Sequence, residues 1–197
     1  MRYGTEHKQR TREKVLKAAA KAIRAKGPDR IGVAEVMADV GLTHGGFYAH
    51  FESKDDLVAA AIGQMLEESR ARLRHETEGR TAADGLRSYL NFYLSPAHRD
   101  ARRGGCPIAA LASDLPRMSS TARKHFAAGS ERLVMSLATL LETIGRPEPM
   151  ADARSAFAEL LGALSLARLE GDEQRSDEIL ASSRAAIKRR LGLDKTK

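Results

Sequence analysis

Residues 33–58 read VAEVMADVGLTHGGFYAHFESKDDLV, and their spacing describes a short helix, a glycine turn, a second short helix and the capped start of a third. Val33, Val36, Met37 and Val40 fall at i, i+3, i+4 and i+7, which puts them on one face of about two helical turns. Gly41 follows where a helix commonly ends in a left-handed residue, the conformation glycine adopts with least strain. Beyond it the Thr43 hydroxyl is placed to cap, and Phe47, Tyr48 and Phe51 recur at helical spacing over a second helix of about two turns. Ser53 and Asp56 form an aspartate version of the Ser/Thr-x-x-Glu capping box, and Leu57, Val58, Ala61, Ile62, Met65 and Leu66 carry an apolar stripe into a long helix that starts near Lys54. Two short helices about a glycine turn make a helix-turn-helix, whose expected partner is duplex DNA.

Upstream, residues 11–26 repeat the helical period through Val15, Leu16, Ala19, Ala22 and Ile23, and Gly27-Pro28 ends it. This helix is expected to roof the pair. The first thirty residues hold ten basic and three acidic side chains, an excess of seven that equals the formal charge of +7 on the whole chain. That excess lies beside the expected DNA reader, where phosphate contacts would use it.

The run GLTHGGFYAHFESKDDL at 41–57 resembles the DNA-binding signature of the TetR/AcrR family of transcriptional regulators, including its Tyr-x-x-Phe pair and the Ser-Lys that opens the next helix. The resemblance covers about a quarter of the chain, from Thr11 to Ile62. It implies an all-α fold, with an N-terminal three-helix helix-turn-helix domain over 1–53 and a larger helical ligand-binding and dimerisation domain over 54–197. It also implies roles for single residues. Thr43 would bond a phosphate or a base edge, His44 would point into the major groove, and Gly45 and Gly46 would allow close backbone approach. Tyr48 and His50 would clamp the DNA backbone, and Lys54 would meet a phosphate at the positive end of the following helix. Phe47 and Phe51 read as core anchors, and Thr43 reads equally as a cap with no DNA role. With glycines at 45 and 46, base readout is expected to rest on few contacts and on DNA shape.

At 197 residues, 42% hydrophobic and 30% charged, the chain is large enough for a small and a larger domain that share a long helix. No run of about eighteen apolar residues occurs, and the first eight residues lack the apolar core of a secretory signal, so a cytoplasmic protein is expected. A single cysteine cannot form an internal disulfide. Further helices are expected over 54–77, 82–94, 107–115, 119–144, 150–170 and 176–191, with Lys195, Thr196 and Lys197 frayed. Nothing alternates like a strand for long enough to compete.

The last two helices read as a homodimer interface. Phe157, Leu160, Leu161, Leu164 and Leu169 form a stripe interrupted by the small residues Gly162, Ala163, Ser165 and Ala167, and Ile179, Leu180, Ser183, Ala186, Ile187 and Leu191 do the same on the final helix. Two such pairs would make a four-helix bundle about a two-fold axis, unless the stripes pack within one subunit. Between reader and interface, Leu86, Tyr89 and Tyr93 share a helix face, and Phe126 offers an apolar partner; Ser113 and His125 add polar handles. The set describes either a filled core or a cavity for a small, largely apolar or aromatic effector. Cys106, between Arg102-Arg103-Gly104-Gly105 and Pro107, reads either as an N-cap thiol suited to sensing electrophiles and oxidants or as a small inert residue beside a turn.

An enzyme is not expected. Histidines at 7, 44, 50, 75, 98 and 125 form no close cluster with Cys and carboxylates, and phosphate loops, dinucleotide fingerprints and nucleophile elbows are missing, so no metal or cofactor is expected. The expectation is a repressor, released by a small effector, that binds palindromic operator DNA as a homodimer and has no membrane partner; a nonspecific architectural DNA binder is the alternative.

Overall fold

The computed structural model describes residues 2–194, with side chains from residue 6 onward; Lys195, Thr196 and Lys197 lie outside the described residues. Those residues form helices, turns and no strand. The order is α1 (Arg2–Lys26), α2 (Val33–Ala38), a 3-10 helix (His44–Ala49), α3 (Lys54–Thr77), α4 (Ala82–Tyr93), α5 (Pro96–Asp100), α6 (Pro107–Leu111), a second 3-10 turn (Leu115–Arg117), α7 (Ser120–Thr143), α8 (Pro149–Leu169) and α9 (Glu173–Leu191).

The N-terminal helices follow the sequence signals closely. Gly27 and Gly41 take positive φ angles of 83° and 74° and end α1 and α2. The Ser53 hydroxyl accepts from the Asp56 amide at 3.1 Å, while Asp56 Oδ2 accepts from the Glu52 amide at 3.2 Å, so the capping box reaches back one residue further than its usual form. The segment after the turn departs from expectation. It winds as a 3-10 helix, and although Thr43 stands at its N-cap, its hydroxyl makes no capping bond; the Thr43 carbonyl takes the Gly46 amide instead, at 3.1 Å. Two adjacent glycines, each about 1 kcal/mol less favourable than alanine inside an α-helix, weaken the wider winding.

One apolar core runs from Val15 in α1 to Leu193 beyond α9. α3 is its spine: the 24-residue helix packs on α1, on α4 and, most extensively, on α7, which itself packs on α8. At the α3–α7 crossing Gly129 lets the helices meet, since a Cβ there would stand 2.6 Å from Leu66 Cδ1 and 2.8 Å from Leu66 Cβ.

Four helix boundaries differ from the sequence reading. α1 begins at Arg2 rather than near Thr11, because residues 6–10 are solvent-facing and carry no apolar stripe to mark the earlier turns. α5 was hidden in a joint, where Ser95 caps it by accepting from the His98 amide at 3.1 Å. The expected 107–115 helix stops at Leu111, and Pro116 lies in the 3-10 turn that follows. α9 starts at Glu173, capped by Asp172, through a polar first turn without periodicity.

The stripes expected to meet a partner are largely spent within the protomer. Phe157, Leu160, Leu164 and Ile187 are buried in the core of the single chain, and Leu161, Ile179 and Ser183 are partly buried beside them, because α8 and α9 pack on each other and α8 on α7. The outward face of α8 carries Ala158, Gly162, Leu166 and Leu169, the last two 58% and 81% exposed, and of the expected stripe only Gly162 and Leu169 lie on it. Arg99 secures the hairpin of α8 and α9 to α5. It is buried, donates to Ser176 Oγ at 2.8 Å and Asp177 Oδ1 at 2.6 Å, and grips both carboxylate oxygens of Asp100. No described helix is long and apolar enough to cross a membrane.

Candidate nucleic-acid interface and interior cavity

Phe47 and Phe51 stack at 5.6 Å between ring centres in the core under the 3-10 helix, as the apolar spacing requires. With those rings fixed, residues 43–48 form an exposed ridge. Thr43, His44, Gly45 and Tyr48 face solvent, Gly46 is half-buried, and Tyr48 is 67% exposed with its ring edge-on to Phe47 at 5.3 Å. His44 meets Tyr48 in a T-shaped contact at 6.2 Å.

His50 and Lys54 are held more firmly. His50 is half-buried with Nδ1 enclosed and unpartnered; burial first, then the positive charges of Lys8 and Arg12, hold its pKa below the ordinary value. The second cause places basic residues of α1 beside the reader, and Arg12 lies over the Phe51 ring at 4.8 Å. Lys54 Nζ donates to the Asp29 carbonyl at 2.8 Å, tying the start of α3 to the turn before α2. That bond uses one of three ammonium hydrogens.

Behind the reader lies a cavity of about 160 Å³ lined by Tyr89, Phe92 and Tyr93 of α4, His98, residues 104–106, Glu68, Ser69 and Arg72 of α3, and Arg24 of α1. Of the residues expected at an effector site, Tyr89, Tyr93 and Cys106 come together here. Leu86 and Phe126 do not line the cavity and are packed into the core, while Ser113 and His125 are exposed away from it. The rings interlock: Tyr93 meets His98 edge-on at 4.9 Å, Phe92 stacks on His98 at 5.0 Å, and Arg72 covers Phe92 at 4.5 Å.

Hydrogen bonding fixes the state of His98. Its Nε2 is 3.1 Å from the Cys106 amide and must accept, so Nδ1 carries the proton and donates to the Tyr93 carbonyl at 2.7 Å. Burial lowers its pKa, in keeping with that neutral tautomer. Burial and the neighbouring Cys106 thiol, which the hydroxyl faces, raise the Tyr93 phenol well above its ordinary value, so the hydroxyl stays protonated. Cys106 stands at the N-cap of α6 ahead of Pro107, as its neighbours foretold. Its side chain makes no capping bond and the residue is 4% exposed, while Arg102 and Arg103 face solvent.

The sequence reading missed Arg24, Glu68, Arg72 and Phe92. Arg24 had a visible signal: it continues the Leu16, Ala20 row at four-residue steps, a cation on a buried stripe. Its side chain is 4% exposed and its Nη2 pairs with Glu68 Oε2 at 2.7 Å, a link between α1 and α3.

Residues 15–61 match the family described as bacterial regulatory proteins, tetR family. The HTH-type transcriptional regulator TtgR of Pseudomonas putida is 32% identical over 81 residues, 41% of this chain and 38% of that protein. The uncharacterized HTH-type transcriptional regulator YvdT of Bacillus subtilis is 29% identical over 92 residues, 45% of this chain and 47% of that one. These matches span less than half the length of either relative. Solved structures match over nearly the whole chain. A TetR transcriptional regulator from Chloroflexus aurantiacus superposes with a TM-score of 0.79 at 26% identity, covering 95% of this chain and 96% of its own. A TetR-family regulator from Agrobacterium tumefaciens gives 0.77 at 25% identity over 92% and 98%. Reduced NemR from E. coli gives 0.80 at 22% identity over 91% and 95%, a likeness of fold.

Proposed function

The chain belongs to the TetR family of bacterial regulatory proteins, and from that premise we propose that it is a repressor that binds palindromic operator DNA as a homodimer and is released by a small effector. The supporting observation is the ridge at residues 43–48: polar, exposed, anchored from below by Phe47 and Phe51, and flanked by the basic residues of α1. Thr43, His44 and Tyr48 contact bases and phosphates, and Gly45 and Gly46 bring the backbone close to the duplex. His50 and Lys54 add phosphate contacts from the base of the ridge, Lys54 through the hydrogens left free by Asp29.

Dimerisation uses the outward face of α8, where Leu166 and Leu169 are the exposed large apolar side chains and Ala158 and Gly162 permit close approach, with Leu161, Ile179 and Ser183 at its margin. The effector enters the cavity behind the reader, and its binding alters how the two heads are spaced.

Selecting genomic fragments bound by the protein, followed by footprinting, tests this reading. Protection of two related half-sites about one helical turn or a multiple apart supports it. Unpatterned protection that moves from fragment to fragment would point to an architectural DNA binder. A Leu166→Glu, Leu169→Glu double variant is expected to run as a monomer and bind the footprinted site less tightly; a dimer of full affinity would remove α8 from the interface.

A further inference from the structure

Two directional bonds tie α1 and the turn after it to α3. At the start of α3, Lys54 Nζ donates to the Asp29 carbonyl at 2.8 Å. Fourteen residues further along the same helix, Glu68 Oε2 accepts from Arg24 Nη2 at 2.7 Å. At about 1.5 Å per residue, the two ties stand about 21 Å apart on one rod. Elsewhere α1 packs on α3 through apolar surface: Val15, Ala19 and Ile23 are the buried side chains of one helix, and Leu57, Ile62 and Met65 are among those of the other. Apolar contact is non-directional, so it holds two helices together without fixing how one rolls or slides on the other. The Arg24–Glu68 pair is poorly suited to adding stability. The Arg24 side chain is 4% exposed with Nε enclosed and unpartnered, and Glu68 is 38% exposed. Desolvating a guanidinium for one incompletely satisfied pair offsets most of the Coulombic gain, and apolar residues of similar volume often serve as well or better. Such a pair does supply register, because its bond is lost when donor and acceptor separate by about 1 Å. Gln64, one turn earlier on α3, steadies the carboxylate by donating to Glu68 Oε1 at 3.4 Å.

We infer that Arg24 and Glu68 are positioning residues for DNA recognition. They touch neither base nor phosphate; they set the angle at which α1, and through it α2 and the ridge at residues 43–48, is carried on α3. This rests on the reading that the chain binds a two-part operator as a homodimer. Register matters there because two ridges must enter major grooves about 34 Å apart or a multiple of that. A head held at both ties presents its ridge at one spacing. A head held only at Lys54 can roll about that bond, and it meets neighbouring spacings almost equally well.

The test is the affinity of the full chain for the footprinted site, for two versions of it with one base pair inserted or deleted between the half-sites, and for a scrambled duplex. The proteins compared are wild type, the Arg24→Met, Glu68→Met double variant and Glu68→Gln. Removing both charges together leaves no unpaired charge buried, so the double variant should melt at or above the wild-type Tm. Wild type is expected to lose about tenfold or more on either altered spacing. The double variant should lose about tenfold on the footprinted site, differ by no more than about twofold among the three spacings, and bind the scrambled duplex as wild type does. Glu68→Gln keeps an acceptor oxygen on a partly exposed side chain and should fall between the two, so it carries the test if the double variant does not fold. A merely structural pair would lower Tm and leave the spacing preference of the folded protein as it was; that result overturns the assignment, as do equal losses on all the duplexes. A wild type without preference among the duplexes overturns the regulator reading and the assignment with it, whereas a selective wild type matched by both variants overturns the assignment alone.

Discussion

Gly129→Ala should destabilise the protein although it replaces glycine by the best helix former, because the new methyl has nowhere to go. Its Cβ would lie 2.6 Å from Leu66 Cδ1, 2.8 Å from Leu66 Cβ and 3.1 Å from Leu66 Cγ. A rotamer change can move the Cγ and Cδ1 of Leu66. Its Cβ is fixed to the backbone of α3, so relief requires α3 and α7 to separate. Overpacking of this kind costs about 1–3 kcal/mol, against about 1 kcal/mol gained in helix propensity. Gly63→Ala is the control: it lies in the middle of α3, and its Cβ would meet only His125 Nδ1, at 3.4 Å, the end of an exposed side chain. That variant keeps most of the propensity gain, so the pair should differ by about 1–3 kcal/mol. For a chain of this size, 1 kcal/mol corresponds to about 2–4 °C in Tm, and the gap should be roughly 2–12 °C by thermal circular dichroism. Adding Leu66→Ala to Gly129→Ala should show favourable coupling, since one change fills space vacated by the other. A Gly129→Ala protein as stable as Gly63→Ala would refute the packing account of the helix that carries the reader.

Stability should fall in mild acid. His98 has a folded pKa below the ordinary 6.5, so the unfolded chain binds its proton first; stability is full above about pH 6.5 and declines as the pH drops toward the folded value. His98→Gln should flatten that decline in part, the remainder including His50, whose pKa is lowered too, and an unchanged pH–Tm curve would contradict the neutral tautomer. Tyr48→Phe should leave Tm within about 1 °C, because the side chain is exposed, and weaken binding to the footprinted DNA by about fivefold, one hydrogen bond's worth; equal affinity would free the phenol of its role. Cys106 is buried, so iodoacetamide should label it more slowly than a free thiol at neutral pH, and labelling at the free-thiol rate would favour the thiol-sensor reading.

The reader was legible because its constraints are local. Gly41 had to turn the chain, Phe47 and Phe51 had to go inward, and Ser53 had to cap a helix, all within a few residues of one another. The cavity was only half legible. Tyr89 and Tyr93 share a face of α4 and could be paired from their spacing, but their neighbours come from α1, α3 and the loop ahead of α6, and no local period encodes that meeting. Arg24 left a trace as a charge on an apolar stripe; Glu68, in a helix rich in glutamates, left none. The leucines of α8 are ambiguous in another way. A row of leucines marks a face that packs, and the row does not say whether it packs within the chain or against a second copy; Leu160 and Leu164 turn inward while Leu166 and Leu169 stay outside.

The central claim, that residues 43–48 read DNA sequence, is tested most directly by equilibrium affinities for the footprinted site and for a scrambled duplex of equal length at one salt concentration near physiological. The account predicts a ratio of about a thousand or more, with Tyr48→Phe lowering affinity for the footprinted site. A ratio near one, with the same steep salt dependence for both duplexes, would mean that the protein binds DNA through charge alone.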